Sequence, residues 1–327
     1  MRKEPGSPES QPTGRALAWA PASLSNLGPG FDCLGIALTG WGDRIEAKSN
    51  DLGSLRIQYH KNSLWSGSYS TSENTAGVAA AFVLEMLDFP FGIDLTIEKG
   101  IIPGSGIGSS AASAAGAAWA VNLLMGSPLS KSELVPAVLA GEAVASGSPH
   151  GDNVIPALFG GLAVVSAEHP DDYAIIPITN RPHFSVILPK IQILTKHARG
   201  ILPKTVSLRD AVSNASDLAF LVNACRDGDW REVGKRIMTD RIVEPKRAQL
   251  LPPYHAIQQS ALKAGAFGCA LSGSGPAMFA ITGSESEAAG ILQSMISAAE
   301  NLGFNATGIV STIDEEGTRS IELPELE

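Results

Sequence analysis

The run Pro103-Gly104-Ser105-Gly106-Ile107-Gly108-Ser109-Ser110-Ala111-Ala112-Ser113 constrains this chain more than any other stretch. Alternate glycines let a backbone turn tightly and approach a ligand closely. The alanine-rich segment that follows, to Leu124, reads as a helix. Its first N–H groups have no partner within the helix, and the positive end of the helix dipole stands behind them. Ile93 to Ile97 alternates like a strand before the loop. Strand, glycine loop and helix in that order make an anion site, and phosphate is the usual anion. The loop is not of the Walker type, because no Gly-Lys-Ser/Thr follows. It also lacks the spacing and the downstream acid of a dinucleotide-binding turn.

Composition narrows the class. A length of 327 residues with 44% hydrophobic content favours two domains. A net charge of -9 argues against a nucleic-acid scaffold, which needs a basic face. Cys33, Cys225 and Cys269 are widely spaced and odd in number, so a reducing compartment is expected. No apolar run is long enough to span a membrane. Met1 to Gly14, rich in Pro, Ser, Glu and Gly, reads as a disordered tail and lacks the apolar core of a signal peptide. The expected setting is the cytoplasm, with a plastid as the alternative if a presequence has been removed.

Strands are expected at 16–20, 43–48, 55–59 and 160–166, and helices at 74–87, 109–124 and 130–145. Ser130-x-x-Glu133 opens the last of these as a capping box. The polar stretch 167–172 is the expected seam, dividing an N-terminal domain over 15–168 from a C-terminal domain over 169–327. Beyond it, strands are expected at 174–178, 184–188, 269–272, 277–281 and 306–311. Helices are expected at 207–225, 229–239, 255–264 and 284–302. Paired strands with helices to one side make both halves α+β.

Two further glycine turns carry chemistry. Asn26 and Asp32 flank Leu27-Gly28-Pro29-Gly30-Phe31, where a carboxylate can hold an ammonium group and an amide can orient a hydroxyl. Ser272-Gly273-Ser274-Gly275-Pro276 closes a strand and can present backbone N–H groups. Either alone is equally an ordinary turn.

The three turns in this order, with His150-Gly151-Asp152-Asn153, Arg199-Gly200-Ile201-Leu202-Pro203 and Asp240-Arg241-Ile242-Val243-Glu244-Pro245-x-Arg247, resemble the GHMP kinase superfamily. Within it the likeness is to the homoserine kinase family, over nearly the whole chain from Ala16 to Ile321. The resemblance implies an N-terminal domain similar to ribosomal protein S5 domain 2 and a ferredoxin-like C-terminal domain, with the site between them. It implies ATP-dependent phosphorylation of the L-homoserine hydroxyl to O-phospho-L-homoserine, a precursor of threonine, and a homodimer. Pro103 to Ser113, with Gly273, Ser274 and Gly275, would hold ATP. Ser110 and Glu142 would hold Mg²⁺. Asp32 would take the substrate ammonium, Arg199 and Arg247 its carboxylate, and Asn26 and Asn153 would contact substrate, with Asn153 at the reacting hydroxyl.

An amide cannot act as a base at neutral pH. Phosphoryl transfer asks mainly for positioning and charge stabilisation. The expected chemistry therefore needs no enzymic base, and Ser110, Glu142 and Asn153 carry it. Asp152 is the alternative base, set aside because neighbouring side chains usually diverge. Two rivals stay open: a mevalonate-type kinase and a kinase-like sensor without turnover.

Overall fold

A computed structural model describes residues 14–67, 70–89 and 92–322. The expected N-terminal tail, all but Gly14, lies outside them.

The first half is built on one long strand. β2 (Leu34–Asn50) pairs antiparallel with β1 (Arg15–Ser25) along its length. A register shift falls between Pro21 and Ala22, where a proline has no N–H to give the ladder. Residues 44–50 of β2 also pair with β4 (Gly92–Glu98), and residues 34–36 with β5 (Leu162–Val165). β3 (Arg56–Tyr59) lies parallel to β4. The helices α1 (Thr75–Met86), α2 (Ser109–Leu124), α3 (Lys131–Ser146) and α4 (Gly151–Phe159) pack together, with α2 and α4 against β1 and β2. Small residues allow this: a Cβ on Gly116 of α2 would stand 2.3 Å from Ile45 Cδ1. The Ser130–Glu133 capping box is present. α4 is absent from the sequence reading, because Gly151 at its start and Pro156 inside it mask helical periodicity.

The second sheet has the order β10-β7-β9-β8, with β7 (His183–Pro189), β8 (Gly268–Leu271), β9 (Met278–Thr282) and β10 (Ala306–Ser311) all antiparallel. This is the ferredoxin-like strand order, as expected. Alternation along the strands serves two cores. Ile187, Leu271 and Met278 face α9 (Tyr254–Lys263) and α10 (Glu285–Glu300). Phe184, Ala270, Phe279 and Ile281 face the other way and join Leu221, Trp230 and Val233, from α6 (Leu208–Asp227) and α7 (Trp230–Arg236), in the main core. Two short helices, α5 (Thr195–Gly200) and α8 (Glu244–Arg247), stand between β7 and α9 in sequence.

The sheets divide the chain differently from the expected seam. β6 (Tyr173–Ile176) pairs with β5 and so belongs to the first sheet, past residue 168. The chain also returns to that sheet after β10. Leu38 bridges Ile313, and β11 (Arg319–Ser320) pairs with β1. A polar stretch marks a turn, but strand pairing decides which sheet claims the next strand.

Candidate active site

The glycine loop leaves β4 and enters α2 at Ser109, the order expected from sequence. Gly106 and Gly108 adopt φ of 84° and 70°, where a side chain is strained. Space excludes one too. A Cβ on Gly106 would stand 2.8 Å from the Ser272 and Gly275 carbonyl oxygens, and one on Gly108 would stand 2.1 Å from Ser23 Oγ.

A buried ion pair holds both ends of this loop. Lys99 Nζ donates to Asp43 Oδ2, to Ser109 O at 3.0 Å and to Ser113 Oγ at 2.8 Å. Asp43 Oδ1 accepts from Gly100 N at 3.1 Å and Ile101 N at 3.2 Å, while Oδ2 accepts from Ser113 Oγ at 2.8 Å. Burial pushes the Lys99 ammonium below its ordinary pKa, against the pull of Asp43. The sequence reading missed this pair. A single lysine at a strand end and an aspartate inside β2 carry no motif.

The 272–276 turn docks onto the loop. Ser272 Oγ donates to Gly106 O at 2.6 Å, and Ala277 N to Ser105 O at 3.1 Å. Gly273 N donates to Ser25 O at 3.1 Å. The three glycine turns, far apart in sequence, thus meet. The 26–32 turn is strained: Asn26, Leu27 and Asp32 all have positive φ, at 71°, 51° and 56°. Backbone strain of this kind collects at functional sites. The Asn26 amide ties the turn down, donating to Gly273 O at 3.1 Å and accepting from Asp32 N at 3.4 Å.

These segments enclose a cleft of about 580 Å³. One wall is the glycine loop: Pro103, Gly104, Gly106, Gly108, Ser109, Ser110 and Ser113, with Glu142, Gly273 and Ser274. The other carries Asn26, Asp32, Asp152, Asn153, Arg199 and Arg247. Of the expected ATP-binding residues, Ser105, Ile107, Ala111, Ala112 and Gly275 do not line it. Ile107, Ala111 and Ala112 are buried in the core, Ser105 is buried, and Gly275 backs Gly106.

Charge concentrates on the second wall. Arg199 grips Asp32 with two hydrogen bonds of 2.9 Å. Arg247 is buried and donates to Gly273 O at 2.8 Å. Both guanidinium groups lie over the Phe31 ring, at 5.3 and 5.0 Å. Burial lowers the Arg247 pKa to about 10, which leaves it charged at neutral pH. His150 lies 3.9 Å from Asp32, and burial lowers its pKa despite that carboxylate.

Asp152 and Asn153 do not diverge. Both stand in the first turn of α4, both line the cleft, and Asn153 Nδ2 donates to Asp152 Oδ1 at 3.3 Å. Two serines from β1 fix the Asn153 amide: Ser23 Oγ donates to its Oδ1 at 2.8 Å, and its Nδ2 donates to Ser25 Oγ at 3.0 Å. Burial first, and Asp32 second, raise the Asp152 pKa to about 7.

Ser110 and Glu142 bring a hydroxyl and a carboxylate to the glycine-loop wall, hard oxygens of the kind that suit Mg²⁺. Among the described residues no group of three or more His, Cys, Asp or Glu could hold a metal. Two protein oxygens suffice for a Mg²⁺ that also binds phosphate. Among those residues no helix is long and apolar enough to cross a membrane.

Known proteins resemble this chain. The GHMP kinases N terminal domain model matches residues 74–161, and the GHMP kinases C terminal model residues 221–301. The chain is 41% identical over 262 residues to a homoserine kinase of Methanococcus vannielii, covering 80% of this chain and 86% of that one. It is 34% identical over 322 residues to a homoserine kinase of Xylella fastidiosa, covering 98% of each. The crystal structure of homoserine kinase from Cytophaga hutchinsonii superposes with a TM-score of 0.88 at 33% identity, covering 98% of this chain and all of that one.

Proposed function

The chain belongs to the homoserine kinase family of the GHMP kinases, and from that premise we propose that its cleft transfers the terminal phosphoryl group of ATP to the side-chain hydroxyl of L-homoserine. One observation carries this reading. The glycine loop at the N-terminus of α2 faces, across one cleft, a wall with a carboxylate, two guanidinium groups and an oriented amide.

Each part has a physical role. Loop N–H groups and the α2 dipole suit the ATP phosphates. Ser110 and Glu142 would hold Mg²⁺, whose charge would offset that of the phosphates. Asp32 receives the homoserine ammonium, and Arg199 and Arg247 its carboxylate through their planar forks. Asn153, fixed by Ser23 and Ser25, orients the reacting hydroxyl. Catalysis then rests on positioning and charge, with the hydroxyl proton passing to the transferred phosphoryl group. The family reading also carries a cytoplasmic homodimer, whose mass sedimentation measures directly.

A second reading has one observation in its favour. Asp152, with a pKa raised to about 7, stands against Asn153 and is tuned as a general base at neutral pH would be. Asp152→Asn separates the two. Loss of less than about tenfold in kcat keeps catalysis base-free, and loss of several thousandfold assigns the base to Asp152. A coupled ADP-release assay with L-homoserine, L-serine, L-threonine and mevalonate tests the substrate. Turnover of mevalonate in preference to homoserine, or no ADP with any of them, overturns the proposal.

A further inference from the structure

Asp32 and Arg199, which would take opposite ends of the substrate, are bound to each other. Both Arg199 Nη atoms donate to the two Asp32 oxygens, at 2.9 Å each. The sequence reading treats them as separate subsites and contains no hint of this pairing, since 167 residues separate them. The wall is therefore already neutralised at this point. A ligand reaches either group only by competing with the other.

We propose that the Asp32–Arg199 ion pair is a charge filter: an amino-acid zwitterion enters by exchanging into it, its ammonium replacing Arg199 on Asp32 while its carboxylate replaces Asp32 on Arg199. The inference rests on reading the cleft as the homoserine site. Exchange leaves both protein charges matched and the net charge of the cleft unchanged. A ligand with one charge cannot do this. A hydroxy acid that takes Arg199 strands Asp32, and an amino alcohol that takes Asp32 strands Arg199. Truncating one partner of a charge pair and leaving the other bare is the costly event in charge recognition.

Other neighbours do not cover the stranded charge. His150 Nδ1 is 3.9 Å from Asp32, outside hydrogen-bond distance, and its burial favours the neutral ring. Arg247 donates one Nη to Gly273 O and lies over the Phe31 ring; it feels the Asp32 charge but makes no hydrogen bond to that carboxylate. Asp152 sits beyond, against Asn153 and Ser25. The pair is also placed to open. The Arg199 side chain is 35% exposed and that of Asp32 17%, so water screens their attraction more than in a buried pair. Arg199 is carried on α5, a helix of six residues on the cleft rim.

The test crosses two variants with three ligands by calorimetry on the full chain. The ligands are L-homoserine, 4-hydroxybutanoate, which lacks the ammonium, and 3-aminopropan-1-ol, which lacks the carboxylate. Asp32→Asn loses homoserine affinity but gains affinity for 4-hydroxybutanoate by about tenfold, because Arg199 is released. Arg199→Met loses homoserine and gains 3-aminopropan-1-ol by a similar factor. A fold defect weakens all three ligands together and cannot produce this reciprocal gain. If one variant does not fold, the other decides. Unchanged or weakened binding of the matching analogue overturns the exchange, even where the wild type still phosphorylates homoserine. A wild type that neither binds nor phosphorylates homoserine overturns the functional reading itself, and the filter with it.

Discussion

Lys99→Met is the perturbation whose outcome the structure fixes most tightly. Methionine keeps most of the length and the apolar stem of lysine but removes the charge beside Asp43, whose side chain has no exposed surface. Breaking a buried pair from one side costs about 3–5 kcal/mol, because the remaining charge has neither water nor partner. Asp43 retains three donors, Gly100 N, Ile101 N and Ser113 Oγ, which sets the cost at the lower end, about 3 kcal/mol. With about 2.1 cal/mol/K of unfolding entropy per residue over 327 residues, each kcal/mol lowers Tm by about 1.5 °C, so the fall is about 4–5 °C. The pair also joins the loop entrance at Gly100 and Ile101 to the first two turns of α2 at Ser109 and Ser113. KM for ATP therefore rises while KM for homoserine changes little, because the acceptor wall does not touch the pair. Asp43→Asn with Lys99→Met recovers part of the lost stability, since the amide removes the bare charge while its oxygen still accepts from Gly100 N and Ile101 N. Differential scanning fluorimetry and steady-state kinetics read both effects. A Tm within about 2 °C of wild type, or a double variant no more stable than Lys99→Met, refutes the reasoning.

Three further outcomes follow from the geometry. Gly108→Ala combines left-handed strain with a clash against Ser23 Oγ, so it disturbs Asn153 and lowers kcat, whereas Gly104→Ala, with its nearest neighbour 4.0 Å away, meets strain alone and costs about 1 kcal/mol; comparing the two by Tm and kcat checks this. Glu142→Gln raises the Mg²⁺ concentration needed for half-maximal rate, measured by MgCl₂ titration, and an unchanged titration removes Glu142 as a ligand. Glu244 accepts from Tyr254 OH at 2.7 Å and Leu271 N at 3.0 Å, and burial raises its pKa to about 8. A raised folded-state pKa stabilises fully below the ordinary carboxylate range and is lost as pH climbs through about 8, so Tm falls with pH over that window and Glu244→Gln flattens the slope; an equal slope in the variant counts against burial as the cause.

Much of the cleft was legible because its parts are local. A glycine loop between a strand and a helix, a tight turn flanked by Asn26 and Asp32, and a turn at 272–276 each follow from neighbouring residues. Asp43, Ser23 and Ser25 were not legible. They are single polar residues on strands, and only cross-chain hydrogen bonds give them meaning. Helix α4 escaped for a different reason: glycine and proline weaken its local signal, and packing on β1 and β2 supplies what propensity does not.

The sequence by itself determined the donor loop, the α+β character of both halves and the family resemblance, because short-range backbone chemistry and residue order express them. Tertiary structure alone decided three things. It placed β6 and the returning chain from 312 to 320 on the first sheet, since strand pairing is a competition between distant edges. It aimed Asp152 and Asn153 into one cleft by setting them in the first turn of a helix. And it joined Asp32 to Arg199, so that two charges separate in sequence became one ion pair. Long-range electrostatics depends on where side chains end in space, and spacing along a chain does not carry that information.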